Sequence, residues 1–171
     1  ANTFGASAHK LAGSAYSLEE IIAAGIANCK RACAPYGALT TLDVGPLGEL
    51  LEPSGTLAFE DAVNEYARIV RAGVAAGADL IFFETFTDLY ELKAALLAAK
   101  ENSDLPVLAS MSFEAGGRTF TGCTVESFGV TARGLGANAV GINCSLGPKE
   151  ILPFAQRLCR VVPAGMPVFV K

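Results

Sequence analysis

The sequence lacks the features that mark several large classes of protein. No apolar run approaches the roughly 18 residues that a helix needs to cross a bilayer, and no signal peptide is visible at the start. Lysine and arginine form no basic block, and the formal net charge is −4, so the electrostatic footprint of a nucleic-acid binder is missing. The sequence therefore predicts a protein that binds neither nucleic acid nor a membrane.

Histidine and cysteine are also scarce. The single histidine, His9, lies in a polar segment and supports no Ser-His or Cys-His catalytic pair. There are five cysteines, Cys29, Cys33, Cys123, Cys144 and Cys159, and no two of them are adjacent. Because their number is odd and their spacing irregular, they do not resemble the disulfide framework of a secreted protein. We expect a reducing, cytoplasmic location.

What the sequence does contain is an apolar chain with helical patterns. Of the 171 residues, 51% are hydrophobic and 18% are charged, which indicates one folded domain with a substantial core. Residues 17–33 form a predicted helix with Ser17 and Glu20 at the spacing of a capping box. Asp88 and Glu91 have the same spacing before a helix predicted to about residue 100. A helix over 59–76 has a predicted apolar face, made of Ala62, Tyr66, Ile69, Val70 and Val74.

The pattern of helix, Gly-Ala-Asp or Gly-Ala-Asn, apolar strand and polar residue occurs twice, at 71–84 and at 132–143. This is the pattern of a repeating β/α unit, so we expect a parallel sheet in either an open doubly wound fold or an eight-stranded barrel. No glycine fingerprint for a nucleotide follows any strand, which favours the barrel. About six strands are predicted, ending near Asn2-Thr3, Asp43, Glu84, Ser110, Asn143 and Val170. The prediction is an incomplete (β/α)8 TIM barrel over residues 1–171, with strands about 2 to 7.

Polar side chains stand at the carboxyl ends of these strands, where the active residues of such barrels lie. They are Asn2, Thr3, Asp43, Glu84, Thr85, Ser110, Ser112, Asn143 and Cys144. Such a mouth is suited to a small zwitterion, whose ammonium group would bind Glu84 or Asp43. Two structural alternatives stay open at this point, since Glu84 can serve as an acceptor for backbone hydrogen bonds and Asp43 as a turn residue.

Cys144 is the cysteine whose position indicates a function. It follows a predicted strand and precedes a helix N-terminus, which favours the thiolate form that binds metal or attacks an electrophile. A lone cysteine is more often a small buried residue, so the position alone leaves both interpretations open. Cys29 and Cys33 lie four residues apart on a helix, where core packing is favoured over a metal site. Cys123 and Cys159 are interpreted as structural.

Several strings of residues resemble one family. Phe83-Glu84-Thr85-Phe86-Thr87-Asp88 and Gly141-Ile142-Asn143-Cys144-Ser145-Leu146-Gly147-Pro148 resemble segments of the homocysteine-binding domain of cobalamin-dependent methionine synthases. Gly117-Arg118-Thr119-Phe120-Thr121-Gly122, Asn2-Thr3-Phe4-Gly5 and Asp43-Val44-Gly45-Pro46 resemble further segments, so that the similarity covers essentially the whole chain. The resemblance implies a (β/α)8 barrel of the homocysteine S-methyltransferase type.

The resemblance also implies a chemistry. Zinc held by three cysteines binds the sulfur of homocysteine as a thiolate, which then takes a methyl group and gives methionine. By this resemblance Cys144 is the first zinc ligand and the catalytic cysteine, and Glu84 binds the substrate ammonium. Thr85 and Asn143 are expected as further contacts. The expected methyl donor is methylcobalamin on a separate module, with betaine or S-methylmethionine as the alternatives.

The sequence departs from the family in one respect. The family's other two zinc ligands are an adjacent Cys-Cys pair, and this sequence contains none. We therefore expect this chain by itself to bind zinc poorly and to be inactive. Two other hypotheses remain: a barrel enzyme that uses Cys144 as a covalent nucleophile, which needs a base within about 3 Å of the sulfur, and a non-catalytic partial barrel stabilised by a partner chain.

Overall fold

A computed structural model describes all 171 residues, and its centre is a five-stranded parallel sheet. The strands lie side by side in chain order, and each pairs with the next. Their bounds are Thr41–Val44 (β1), Leu80–Phe86 (β2), Val107–Met111 (β3), Ala139–Ile142 (β4) and Val168–Val170 (β5). β1 and β5 form the two edges, so the sheet is open in this chain.

Helices connect the strands and cover one face of the sheet. Their bounds are Leu18–Cys33 (α1), Phe59–Ala75 (α2), Leu89–Asn102 (α3), Val125–Gly134 (α4) and Pro148–Val161 (α5), with a 3₁₀ turn at Ala34–Tyr36. Each helix packs against the next one in the chain, which makes a single layer. Because the strand order never reverses, right-handed crossovers place every helix on the same side. This is the winding of a β/α barrel, whereas a doubly wound sheet reverses its order and has helices on both faces.

The helix ends follow from local chemistry at one predicted capping box but not at the other. At Ser17 the prediction is confirmed, since the Ser17 hydroxyl accepts from the Glu20 amide at 3.2 Å and the Glu20 carboxylate accepts from the Ser17 amide at 2.8 Å. At Asp88 the predicted box is wrong. The Asp88 carboxylate accepts from the Tyr90 amide at 2.9 Å, and Glu91 turns away from Asp88 into the protein.

Glu91 instead fastens a loop to the core. It is 4% exposed, and one of its carboxylate oxygens accepts from the amide of Leu47 at 2.7 Å and from the hydroxyl of Tyr66 at 2.9 Å. Burial raises the pKa of the Glu91 carboxyl, while these two donors act to lower it. Leu47 belongs to the loop after β1, so a residue of α3 fixes a loop at the mouth of the sheet.

The core lies between the sheet and the helix layer. It is one cluster of 37 buried residues. Four members of the predicted apolar face of α2, Ala62, Tyr66, Ile69 and Val70, are buried in it, but Val74 is 40% exposed. Val74 was therefore wrongly predicted to face the core. None of the helices combines the length and the hydropathy that a membrane span requires.

The first of the six predicted strands in chain order, ending near Asn2-Thr3, is not a strand in the structure. The segment still runs beside β1, but at Asp43 the side chain of Thr3 makes the hydrogen bonds that the backbone of a paired strand would make. The hydroxyl of Thr3 donates to the carbonyl of Asp43 at 2.7 Å and accepts from the Asp43 amide at 3.1 Å. Thr3 thereby fixes the backbone of Asp43 from the edge of the sheet.

The other face of the sheet is narrow and half-buried. Phe82 of β2 and Phe169 of β5 meet across it, edge to face, with ring centroids 5.5 Å apart. Gly141 of β4 makes this contact possible, because a Cβ at that position would lie 2.4 Å from the Phe169 ring. This face carries the polar side chains at the carboxyl ends of the strands.

Candidate functional site

Polar side chains from all five strand ends meet at the carboxyl edge of the sheet. We define the candidate site by Asp43 near the end of β1, Glu84 and Thr85 near the end of β2, Ser110 in β3, Asn143 and Cys144 after β4, and Lys171 after β5. The contacts below connect these side chains in two groups, one around Asn143 and one around Glu84, at one edge of the parallel sheet. The first six were predicted from the sequence, but the prediction did not include Lys171.

A β-bulge shapes the part of the site that β2 contributes. Phe83 pairs with Ala109 and Phe86 with Met111, so β2 carries one extra residue between these pairs. Thr85 lies in the bulge and has a left-handed backbone, with φ of 63°. A bulge leaves an amide without a ladder partner and redirects the neighbouring side chains. Here the free amide of Thr85 donates to the side chain of Asn143 at 3.0 Å.

Asn143 is the centre of a hydrogen-bond network and is fully buried. Its Oδ1 accepts from the Thr85 amide and, at 2.8 Å, from the hydroxyl of Ser110. Its Nδ2 donates to Thr85 Oγ1 at 2.7 Å and to Cys144 Sγ at 3.3 Å. The hydroxyl of Ser112 donates to the Asn143 carbonyl at 2.8 Å. The amide of Asn143 thus joins β2, β3 and the cysteine in one fixed arrangement.

Cys144 presents its thiol at the solvent-exposed rim of this network. The residue is exposed, and its backbone is left-handed with φ of 60°, as is that of Ser145 with φ of 65°. Such a backbone is uncommon outside glycine and is found at functional sites more often than elsewhere. Apart from Asn143, the sulfur contacts the hydroxyl of Thr85, at 3.7 Å. Neither neighbour is a general base, so the contacts do not favour the covalent-nucleophile hypothesis.

Asp43, Glu84 and Lys171 form a charged cluster beside the thiol. Glu84 is 8% exposed and pairs with the ammonium of Lys171. The Oδ1 atom of Asp43 is buried and has no hydrogen-bond partner. Burial and the nearby Glu84 carboxylate raise the pKa of Asp43 to about 7, although Lys171 acts to lower it. The bond from Glu84 raises the pKa of Lys171.

Two of the predicted polar residues, Ser110 and Thr3, hold other residues of the site in place. Ser110 is fully buried, and its hydroxyl is bonded to Asn143, so a direct contact between Ser110 and a substrate stays a prediction. Thr3 holds the backbone of Asp43, and Asn2 is exposed. The signal that could have found Lys171 is its position, directly after the last predicted strand.

The remaining cysteines and the histidine lie away from the site. Cys29 and Cys33 contact each other, with 3.8 Å between their sulfur atoms. Burial raises the pKa of Cys123 to about 11, which disfavours its thiolate. His9 pairs with Glu49 at 3.2 Å and contacts no nucleophile. No group of three or more His, Cys, Asp or Glu side chains in the structure is arranged to hold a metal ion.

Comparisons with known proteins identify a family and agree with the fold. The sequence profile of a family described as homocysteine S-methyltransferase matches residues 1–170. The methionine synthase of Mycobacterium tuberculosis is 30% identical over 73% of this chain, which spans 12% of that protein. The metallated form of the Escherichia coli homocysteine methyltransferase MmuM superposes with a TM-score of 0.83, at 18% identity over 99% of this chain and 64% of that one.

Two further structures of the same Escherichia coli protein support the fold. Its oxidized form gives a TM-score of 0.84 over 99% of this chain, and its apo form gives 0.75 over 90%. The chain spans 63% and 59% of those two structures. It therefore covers less than two thirds of the length of each of these relatives.

Proposed function

Because the chain belongs to the homocysteine S-methyltransferase family, we propose that it supplies the homocysteine-binding part of an enzyme that transfers a methyl group to the sulfur of homocysteine and forms methionine. The observation that carries this proposal is a buried carboxylate, Glu84, that already holds an ammonium group at the same edge of the sheet as an exposed thiol, Cys144. Homocysteine carries an ammonium group and a sulfur atom, and both have a suitable neighbour here.

The ammonium end of the substrate is assigned to Glu84. This carboxylate lies on a strand end, 8% exposed, and charge-assisted hydrogen bonds to such a group are stronger than neutral ones. The bulge in β2 and the bond from the Thr85 amide to Asn143 fix the direction of the segment. Thr85, Asn143 and Asp43 are proposed as the further substrate contacts, because they share this edge of the sheet with Glu84 and Cys144.

The sulfur end is assigned to Cys144, as one ligand of a zinc ion. Zinc, when bound, supplies stabilisation of a substrate thiolate at neutral pH. A catalytic zinc site has three protein ligands, whereas the structure brings no group of three metal-binding side chains together. These residues by themselves do not form the complete site, and the other ligands would have to come from residues other than these 171. What this chain contributes is the orientation of one thiol, which Asn143 fixes through its bond to the sulfur.

The methyl donor is proposed to be methylcobalamin carried on another module. The similarity to a methionine synthase, of which this chain spans 12%, supports a donor module outside the chain. Betaine or S-methylmethionine is the alternative donor. The cytoplasmic location stays a prediction.

Replacement of Glu84 tests the substrate site. We expect Glu84→Gln to weaken homocysteine binding by about tenfold, because a hydrogen bond to a charged group contributes about 1.5 kcal/mol or more. Isothermal titration calorimetry under reducing, metal-free conditions measures the affinity. The matched control is Glu114→Gln, which removes a carboxylate from an exposed loop after β3. Equal affinities in both variants would contradict the role of Glu84, and no binding by the parent chain would favour the non-catalytic hypothesis.

Replacement of Cys144 tests the metal ligand. We expect the chain as given to bind zinc more weakly than a complete three-cysteine site, and Cys144→Ser to lower that affinity by about tenfold or more. Competition with a chromophoric chelator measures both constants. Cys159→Ser is the control, since Cys159 is an exposed cysteine on α5. Zinc affinity that is unchanged in Cys144→Ser would remove Cys144 from the proposed site.

A further inference from the structure

The ion pair between Lys171 and Glu84 joins a buried carboxylate to a solvent-exposed lysine side chain. Glu84 belongs to β2, and 10% of its side chain is exposed, whereas 60% of the Lys171 side chain is exposed. The backbone of Lys171 is fixed, because its amide donates to the carbonyl of Ile142 at 3.1 Å and its carbonyl accepts from the amide of Cys144 at 3.3 Å. The four-carbon stem of lysine can nevertheless rotate. The ammonium can therefore leave Glu84 while the strand stays in place.

The charged cluster also has an acceptor that nothing in the chain uses. It contains two carboxylates, Asp43 and Glu84, and one ammonium, that of Lys171. The buried Oδ1 atom of Asp43 has no hydrogen-bond partner. An unsatisfied buried acceptor costs free energy, which a donor from a ligand would recover. A second cation is therefore favoured at this point, provided that the charge of Lys171 finds another partner.

We propose that Lys171 determines specificity for an α-amino acid: when the ligand enters, Lys171 leaves Glu84 and pairs with the ligand's α-carboxylate, and the ligand's ammonium binds between Glu84 and Asp43. This inference rests on the proposed function, since it concerns the same substrate. The ion pair between Lys171 and Glu84 is replaced by two, one between Lys171 and the ligand carboxylate and one between Glu84 and the ligand ammonium. The ammonium also donates to the free oxygen of Asp43. Because the ammonium and carboxylate of an α-amino acid are attached to one carbon atom, a small rotation of the lysine side chain is sufficient.

The arrangement discriminates by charge. A thiol that carries an ammonium but no carboxylate, such as 3-aminopropane-1-thiol, must compete with Lys171 for Glu84 and leaves the lysine with the Phe82 ring but without an anionic partner. Homocysteine has the same sulfur and the same ammonium, and it also has a partner for the lysine. Lys171 thus favours homocysteine and opposes the simple aminothiol, which is discrimination by attraction and repulsion together.

The test measures both ligands on the chain and on Lys171→Gln by calorimetry, without metal and under reducing conditions. We expect Lys171→Gln to bind homocysteine about fivefold more weakly and 3-aminopropane-1-thiol about fivefold more tightly, as expected for one solvent-accessible ion pair. Lys171→Arg is expected to keep the preference for homocysteine. Lys149→Gln, which removes an exposed lysine at the start of α5, should change neither constant.

Opposite changes in the affinities for homocysteine and for 3-aminopropane-1-thiol distinguish a role of Lys171 in specificity from a purely structural role. If Lys171→Gln weakens both ligands equally, or changes neither, the inference is overturned while the proposed function stands, provided that the parent chain binds homocysteine. If the parent chain binds no homocysteine, both are overturned. Circular dichroism spectra of all variants show whether the fold is kept.

Discussion

Replacement of Asn143 by alanine is expected to lower the free energy of unfolding by about 3 kcal/mol. The side chain is fully buried, and its two polar atoms make four hydrogen bonds. In the alanine variant, the amide of Thr85 in the bulge loses its acceptor, and the hydroxyl of Ser110 keeps only a 3.5 Å contact with the Phe83 carbonyl. Each buried donor without a partner costs about 1–3 kcal/mol. The loss should also release the Thr85 and Cys144 segments from their left-handed conformations, since Asn143 connects them.

Urea denaturation followed by circular dichroism measures this change. Asn138→Ala is the matched control, because Asn138 stands just before the same strand, is exposed, and makes one bond, accepting from the Val107 amide at 2.8 Å. We expect the control to cost about 1 kcal/mol. If the two variants are equally stable, Asn143 does not hold the site together and the network assigned to it is wrong.

Replacement of Asp43 by asparagine is expected to stabilise the chain above neutral pH. Burial and the Glu84 carboxylate raise the pKa of Asp43 to about 7 in the folded protein, whereas an aspartate of an unfolded chain loses its proton near pH 4, roughly. The folded state therefore binds the proton more tightly, and stability falls as the pH rises from about 4 to about 7. The difference between these pKa values corresponds to about 4 kcal/mol, and solvent near the half-buried side chain reduces the expected gain to about 2 kcal/mol.

Thermal or urea unfolding of Asp43→Asn between pH 4 and pH 8 tests this sign and size. The variant and the parent should be similar at pH 4, and the variant should be the more stable one at pH 8. Asp104→Asn, in an exposed loop before β3, is the control and should show no such divergence. A gain that is independent of pH would mean that the charge of Asp43 is not the cause.

The sequence predicted most of the fold because its signals are local. The repeated pattern of helix, glycine turn and apolar strand located β2 and β4, and the polar residues that follow these strands became part of the site. Glu84, Thr85, Asn143 and Cys144 were brought together by a general property of parallel sheets rather than by their own chemistry. The resemblance identified the family, which the match over residues 1–170 confirms.

What the sequence could not predict depended on contacts between distant residues. The spacing of Asp88 and Glu91 suits a capping box, but Glu91 is used by Tyr66 and Leu47, which lie far from it in the chain. The bulge at Thr85 has no local signature, since threonine is an ordinary strand residue. The segment at Thr3 has the composition of a strand end, yet its hydroxyl takes the place of backbone pairing.

Lys171 was missed for a different reason. A lysine at the end of a strand is normally interpreted as a solvated residue, and the pairing with Glu84 depends on the position of β5 in the sheet. Polar residues were predicted at five of the six predicted strand ends, and Lys171 directly follows the sixth, which ends near Val170. The charged residues of the site are therefore predictable from topology once the strand order is known.

The bonds of Glu91 restrict the order in which mutations can accumulate. One oxygen of Glu91 accepts from both the Tyr66 hydroxyl and the Leu47 amide. An apolar residue at position 91 would therefore leave two buried donors without an acceptor in a single step. After Tyr66→Phe has removed one of these donors, an apolar residue at position 91 leaves only the Leu47 amide without an acceptor, so the same substitution costs less in that background. Positions 66 and 91 are thus epistatic, because the effect of a substitution at position 91 depends on the residue at position 66, whereas any residue other than proline at position 47 supplies the same amide.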